Sequence, residues 1–227
     1  MSEPAATDGS TPVPVGFVGV GTMGSPMAAR LIDAGHQVSV HDPSESAIET
    51  LVGLGAFAES SPEAVAEAAD VVMLSLPTPE VVEAVVLGTQ GVLAATRLPG
   101  TVLDLSTNSP ETVRRLATAC AEAGVAFVDA PVSGGVAGAV AGTLSVMVGA
   151  DDAVFTEIEP MLSCQGSNVL HVGASGAGTV AKIVNNQLFL AAGVLVQEAY
   201  VTGQALGMSP AELHDVISAS SAGPYAK

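Results

Sequence analysis

Lys182 stands in GASGAGTVAKIVNNQLF, residues 173 to 189, and is the only lysine before the last residue of this 227-residue chain. With 23 acidic residues and a formal net charge of -17, the chain draws its solubility from carboxylates, so a lysine in so apolar a stretch was not placed for solubility. The stretch has helical spacing and Lys182 falls in its second turn. There the positive helix-end potential and partial burial both disfavour the ammonium form and bring the amine toward a range where it can exchange protons. A lysine whose stem packs while its head reaches water satisfies the same residues. Asn186, four positions on, shares the Lys182 face of the helix and is the asparagine assigned a role beside it, in preference to Asn185.

A second constellation lies near the start. Gly19, Gly21 and Gly24 form G-x-G-x-x-G, with Val20, Thr22 and Met23 between them. The first glycine allows a tight turn, the second a close backbone approach to a pyrophosphate, the third close helix packing. In a chain with 25 glycines the pattern alone is weak, but strand, glycines, helix, second strand and acidic residue come in the order a dinucleotide site requires. The acidic residue is Asp42, 18 positions after Gly24, where a carboxylate accepts hydrogen bonds from both adenosine ribose hydroxyls and repels a 2′-phosphate. A helix-capping aspartate before Pro43-Ser44 is the alternative. In PVSGG, Ser133 offers a hydroxyl while Gly134 and Gly135 can present unobstructed N–H groups to a carboxylate; the alternative is a glycine-rich turn between strands.

Other chemistries find little support. Cys120 and Cys164, and the four histidines, have no metal-type spacing, and the cysteines read as reduced structural thiols. The four arginines make no basic run and the net charge repels phosphate backbones, so neither nucleic acid nor an anionic membrane is expected as a partner. No stretch holds eighteen uninterrupted apolar residues, and the opening MSEPAATDGSTPVP lacks the pattern of a secretory signal. A cytoplasmic location follows as the expectation.

The elements that must position these residues alternate. Short apolar runs at 15–20, 37–41, 71–76, 101–105, 125–129, 144–149 and 168–172 predict strands. Helical patterns at 44–53, 61–69, 109–123 and 151–163, besides the one after the glycines, predict crossovers. The order implies an α/β, Rossmann-type, doubly wound and mostly parallel sheet. From Gly176 to Gly207 one helix of about 45 Å is expected, interrupted only by glycines such as Gly193 and Gly203, then a last helix from Ser209-Pro210. The expected organisation is a flexible tail (1–14), a dinucleotide-binding domain (15–172), and a long interdomain helix with part of an all-α domain (173–227).

At this point GFVGVGTMGSPMAARLIDAGHQVSVHDPS resembles the opening of the β-hydroxyacid dehydrogenases, the group that includes 3-hydroxyisobutyrate dehydrogenase and tartronate semialdehyde reductase. DAPVSGGVAGAVAGTLSVMVGA resembles the family's substrate-binding segment, LSLPTP and DLSTNSP its cofactor-contacting loops, and GAGTVAKIVNNQ its catalytic helix. The resemblance implies an NAD-dependent enzyme interconverting a small 3-hydroxy acid and its semialdehyde, with Lys182 as the acid/base. It implies that Asn186 orients substrate or ammonium, and that Ser133, Gly134 and Gly135 hold the substrate. By the same resemblance Gly19 to Gly24, Asp42, Leu76, Pro77 and Thr107 contact the dinucleotide. The family pattern continues through further helices after the position of Lys227, completing the pocket with a second basic residue. The apolar helix therefore needs cover, which a homodimer supplies most simply. Imine reductases share the architecture, 6-phosphogluconate dehydrogenases need more cationic groups, and a dinucleotide-binding protein without turnover keeps the same cofactor half.

Overall fold

The computed structural model describes residues 13–225, and the chain divides into two compact units, Met1–Lys182 and Ile183–Lys227. Most of the expected tail lies outside the described residues; Pro14 already belongs to the first strand.

The first unit carries a nine-stranded sheet. Strands β1 (Pro14–Val18), β2 (Gln37–His41), β3 (Phe57–Ala58), β4 (Val71–Leu74), β5 (Thr101–Asp104) and β6 (Ala126–Asp129) are parallel, in the order β3-β2-β1-β4-β5-β6. The order reverses at β1, which pairs with β2 on one side and β4 on the other. Three further strands, β7 (Val132–Ser133), β8 (Ser145–Gly149) and β9 (Asn168–Gly173), extend the sheet; β8 runs antiparallel to β6 and β7 and parallel to β9.

Helices cover both faces because the central strands are apolar on both. Phe17, Met73 and Leu103 enter one core with Met27, Leu31 and Val40; Val18, Val72, Leu74 and Val102 enter the other with Val65, Val82 and Leu116. Removing the ring of Phe17, which is fully buried, is expected to cost about 3–5 kcal/mol. The crossovers are α1 (Gly24–Asp33), α2 (Glu45–Val52), α3 (Pro62–Ala68), α4 (Pro79–Leu87), α5 (Pro110–Glu122), α6 (Gly135–Ala141) and α7 (Asp152–Ser163). In α3, α4 and α5 a Ser or Thr caps the first turn and a proline follows it: Ser61-Pro62, Thr78-Pro79 and Ser109-Pro110. The Thr78-Pro79 start of α4, not among the expected helices, carries the same signal. The segment after PVS, for which a glycine-rich turn between strands is the alternative, passes instead from β7 into α6.

Helix α8 (Ala177–Ala205) begins in the first unit and runs unbroken through Gly193 and Gly203, so neither glycine interrupts it. In the second unit Gly203 leaves room for Leu213 of α9 (Pro210–Ser218), whose side chain a Cβ would meet. Ser209 and Glu212 form a reciprocal cap for α9, and Tyr200 and His214 join the two helices through a 3.2 Å hydrogen bond. Helix α8 is long and apolar enough to cross a bilayer by length and composition, and it exposes Leu188, Phe189, Leu190 and Leu195.

Candidate active site

Parallel strands bring their carboxyl ends to one edge, and the crevice where strand order reverses is where open α/β sheets bind ligands. The glycine loop lies there, between β1 and α1. Gly19 has φ +89°, in the region open to glycine, and donates its N–H to His41 O at 3.0 Å. A Cβ on Gly19 would overlap Ser75 O, and one on Gly24 would overlap Gly19 O. At Gly21 a Cβ would have no protein atom within 4 Å. The first and third glycines thus serve packing of the turn, while the second faces open space, the arrangement that lets a pyrophosphate approach the backbone. Thr22 is exposed, Met23 half-buried and Val20 fully buried.

Asp42, just past β2, accepts the Val20 N–H on Oδ2 and the Ser44 N–H on Oδ1, both at 2.8 Å. It therefore ties the glycine loop to the turn before α2. A carboxylate has about four acceptor positions, so this clasp leaves lone pairs for two hydroxyl donors. On the other side of β1, Leu76 donates its N–H to Ser106 Oγ at 2.9 Å, joining the loops after β4 and β5. Pro77 and Thr107 are exposed on these loops. Gly19 to Gly24, Asp42, Leu76, Pro77 and Thr107 thus occupy the ends of β1, β2, β4 and β5, and the open face at Gly21 fits a dinucleotide.

Beneath these loops are two aspartates. Asp104 ends β5, Asp129 ends β6, they are register partners, and each is 1% exposed. Asp104 accepts the Ser106 N–H at 3.0 Å and Asn108 Nδ2 at 2.6 Å, shaping the loop whose Ser106 receives Leu76. Burial, helped by the charge of Asp129, holds the Asp104 carboxyl above the usual carboxylate range. Asn108 Oδ1 is buried without a partner. Asp129 accepts the N–H groups of Gly176 and Thr179 at 2.6 Å each, at the start of α8, and burial raises its carboxyl as well. Neither aspartate was singled out from sequence; each ends an apolar run, TVLD and AFVD, which is the signal that was available.

Lys182 lies in the second turn of α8, 9% exposed, and makes no ion pair or hydrogen bond among the described residues. Loss of water around its amine holds its pKa below the ordinary 10.5. Asn186, half-buried, follows on the same helix in the second unit. Ser133 is half-buried at the end of β7, paired with Ser145; Gly134 (φ +134°) and Gly135 (φ +63°) follow it, both exposed. No hydrogen bond links Ser133 to Lys182. Cys120 is buried on α5, and burial pushes its thiol up to about 11, which keeps it protonated and unreactive at neutral pH.

The chain is similar to proteins of known family. Residues 14–173 match the NAD binding domain of 6-phosphogluconate dehydrogenase, and residues 176–226 match the NAD-binding region of NADP-dependent 3-hydroxyisobutyrate dehydrogenase. The second match runs through α8 and α9, making the apolar helix part of an enzyme fold. The chain is 44% identical to 3-hydroxyisobutyrate dehydrogenase of Pseudomonas aeruginosa, over 93% of this chain and 71% of that one. It is 42% identical to 2-(hydroxymethyl)glutarate dehydrogenase of Eubacterium barkeri, over 94% of this chain and 71% of that one. Among solved structures, the 3-hydroxyisobutyrate dehydrogenase of Mycobacterium tuberculosis with L-serine superposes with a TM-score of 0.86 at 36% identity, covering 95% of this chain and 73% of the other. A Streptomyces aurantiacus imine reductase, at 24% identity and a TM-score of 0.80 over 90% of this chain and 71% of its own, shares the fold. By the family models that it matches and the relatives that it covers, the chain belongs to the 3-hydroxyisobutyrate dehydrogenase family of NAD-binding β-hydroxyacid dehydrogenases.

Proposed function

We propose that this protein is an NAD-dependent dehydrogenase interconverting a small 3-hydroxy acid and its semialdehyde, with Lys182 as its acid/base. The observation that carries the chemistry is a lysine 9% exposed with no counter-charge among the described residues, on the helix that follows the sheet's last strand. An unpaired buried ammonium is costly, and burial lowers its pKa toward a range useful for proton transfer.

The relatives support the substrate class. 3-Hydroxyisobutyrate, 2-(hydroxymethyl)glutarate and serine, the molecules named with them, share a hydroxymethyl group on the carbon that bears a carboxylate. Bound NAD supplies the hydride acceptor. In oxidation the neutral Lys182 amine takes the hydroxyl proton as the C–H bond breaks, and in reduction its ammonium returns that proton to the carbonyl oxygen. Ser133 and the N–H groups of Gly134 and Gly135 hold the substrate carboxylate, and Asn186 orients the reacting oxygen or the ammonium. The backbone of Gly19 to Gly24 and the loops of Leu76, Pro77 and Thr107 hold the dinucleotide, with Asp42 on the adenosine ribose. Residues 15–172 serve as the dinucleotide-binding domain and residues 173–227 as the helical part that brings Lys182.

We also propose a cytoplasmic homodimer that buries the apolar face of α8, supported by Leu188, Phe189 and Leu190 at 68%, 74% and 65% exposure. The functional reading is tested by steady-state assays with NAD on 3-hydroxyisobutyrate, glycerate, 3-hydroxypropionate and serine. Turnover of at least one is expected, abolished by Lys182→Ala. A Lys182→Ala protein as active as the parent, or no turnover across the panel, would sink it.

A further inference from the structure

The first N–H groups of a helix have no partner within it, and most helices satisfy them locally. In this chain α3, α4, α5 and α9 use a neighbouring Ser or Thr. Helix α8 does not. Its first turn is held by Asp129, which lies 47 residues before Gly176 and 50 before Thr179, at the end of a buried strand.

The surroundings are shaped for this contact. A Cβ on Gly149 would overlap Asp129 Oδ1, so β8 leaves the space that the carboxylate fills. A Cβ on Gly178 would overlap Met147 O and stand 2.6 Å from Asp129 O, so only a glycine lets the first turn of α8 come down onto β6 and β8. The two N–H groups reach separate oxygens of one carboxylate, which fixes the rotation of the helix as well as its height. Lys182 comes three residues after Thr179, on the same side of the helix, and is buried with it. A local hydroxyl cap would satisfy the same donors without taking a carboxylate out of water. The carboxylate adds a rigid tie between the lysine helix and the sheet whose strand ends carry the cofactor loops.

We infer that Asp129 is a positioning residue for the active site: its carboxylate clasps Gly176 and Thr179 and thereby sets the depth and direction of the Lys182 amine. Asp129 touches no reacting atom and acts through Lys182, so its catalytic consequence rests on the reading of Lys182 as acid/base. Asp104, its register partner, is the other carboxyl facing this cluster; it holds the loop after β5 and leaves α8 to Asp129.

Asp129→Asn keeps the shape, but its NH2 group faces one of the two N–H donors, so one tie is lost. A fall in kcat of about ten- to a hundred-fold is expected, the scale of displacing a catalytic group by a fraction of an ångström to an ångström, with NADH affinity unchanged. The amine itself gives a readout independent of turnover. Lys182 and Lys227 are the only lysines, so after reductive methylation with a carbon-13 label the Lys182 amine can be titrated by NMR. In Asp129→Asn its titration should move up toward 10.5 as water reaches it. An unchanged kcat together with an unchanged Lys182 titration would overturn the proposal. Should Asp129→Asn not fold, hydrogen exchange on the parent decides: the Thr179 amide is expected to be as protected as the β5–β6 ladder, and exchange at the rate of an open helix end would refute the clasp. If the parent turns over no 3-hydroxy acid, the functional reading fails, while titration and exchange still test the positioning role.

Discussion

Replacing Lys182 with methionine should make the protein more stable and nearly inactive, and the two effects should share one pKa. Methionine keeps an unbranched stem of similar length and removes the amine. In the parent Lys182 is 9% exposed as a residue, has no ion pair or hydrogen bond among the described residues, and burial alone holds its pKa below 10.5. Between the lowered value and 10.5 the unfolded chain binds a proton that the folded chain has released. The stability of the parent therefore rises with pH in that window, and the penalty is at full size below the lowered value. The Lys182→Met protein has no such slope. Its advantage should be greatest at neutral pH and shrink toward a packing difference alone near pH 10.5. Loss of a general acid/base is worth about 10² to 10⁴ in kcat, or roughly 3 to 5.5 kcal/mol of barrier. In the parent, oxidation needs the neutral amine and should rise with pH through the lowered pKa; reduction needs the ammonium and should fall through it. Urea unfolding of both proteins across a pH series gives one midpoint, and the pH profile of the parent's kcat/KM in the oxidative direction, which reports the free enzyme, gives the other. A Lys182→Met protein less stable than the parent throughout, or two midpoints that disagree, would refute the reasoning.

Gly21→Ala should leave the melting temperature unchanged and weaken NADH binding, because its Cβ enters open space that the dinucleotide needs; Gly24→Ala should lower the melting temperature, because its Cβ overlaps Gly19 O. Thermal melts and NADH fluorescence titrations on both separate the two roles, and equal effects would contradict them. Asp42 should favour NADH over NADPH by about 1–3 kcal/mol, read by fluorescence titration of each. Asp42→Ala should narrow that gap and also loosen the glycine loop, since the Val20 and Ser44 N–H groups lose their acceptor; an unaltered preference would place Asp42 away from the ribose. Light scattering after size-exclusion chromatography should give a dimer at micromolar concentration, and Phe189→Glu should dissociate it; a fully soluble monomeric parent would overturn the proposed α8 interface.

Legibility followed sequence distance. Strand β2 was read to the residue, and most strand and helix ends fell within one or two positions, because buried parallel strands are short unbroken apolar runs with polar helix caps between them. Apart from helix α4, whose Thr78-Pro79 cap carries the usual start signal, what escaped was short or unpatterned. Strand β3 is two residues long, Phe57–Ala58, and strand β7 with helix α6 is written in Val, Ala and Gly, which carry no period that separates helix from turn. At the site, G-x-G-x-x-G and Asp42 were legible since their order along the chain repeats their order in space. The clasp from Asp42 to Val20 and Ser44 was not: a carboxylate that faces a ribose and one that braces a loop have the same sequence signature.

The same contrast explains how the site is assembled. β1 hands its end to the glycine loop directly, so the motif lies at the strand's carboxyl end. β5 works at one remove: Asp104 shapes the loop in which Ser106 receives the Leu76 N–H, locking together two segments that the resemblance assigns to the cofactor. β6 works at a greater distance, through Asp129 to the start of α8 and along one turn to Lys182. Each step is a carboxylate or hydroxyl at a strand's carboxyl end accepting a backbone N–H, and each brings a more remote segment to the same edge of the sheet. Burying Asp104 and Asp129 side by side raises both carboxyls and so costs stability at neutral pH, where the unfolded chain keeps them ionised in water. Capping alone does not require that cost, since four other helices are capped by Ser or Thr. Under the proposed mechanism, a carboxylate on a buried strand ties the start of the Lys182 helix to the sheet that carries the proposed dinucleotide loops, which a cap within the helix's own segment does not.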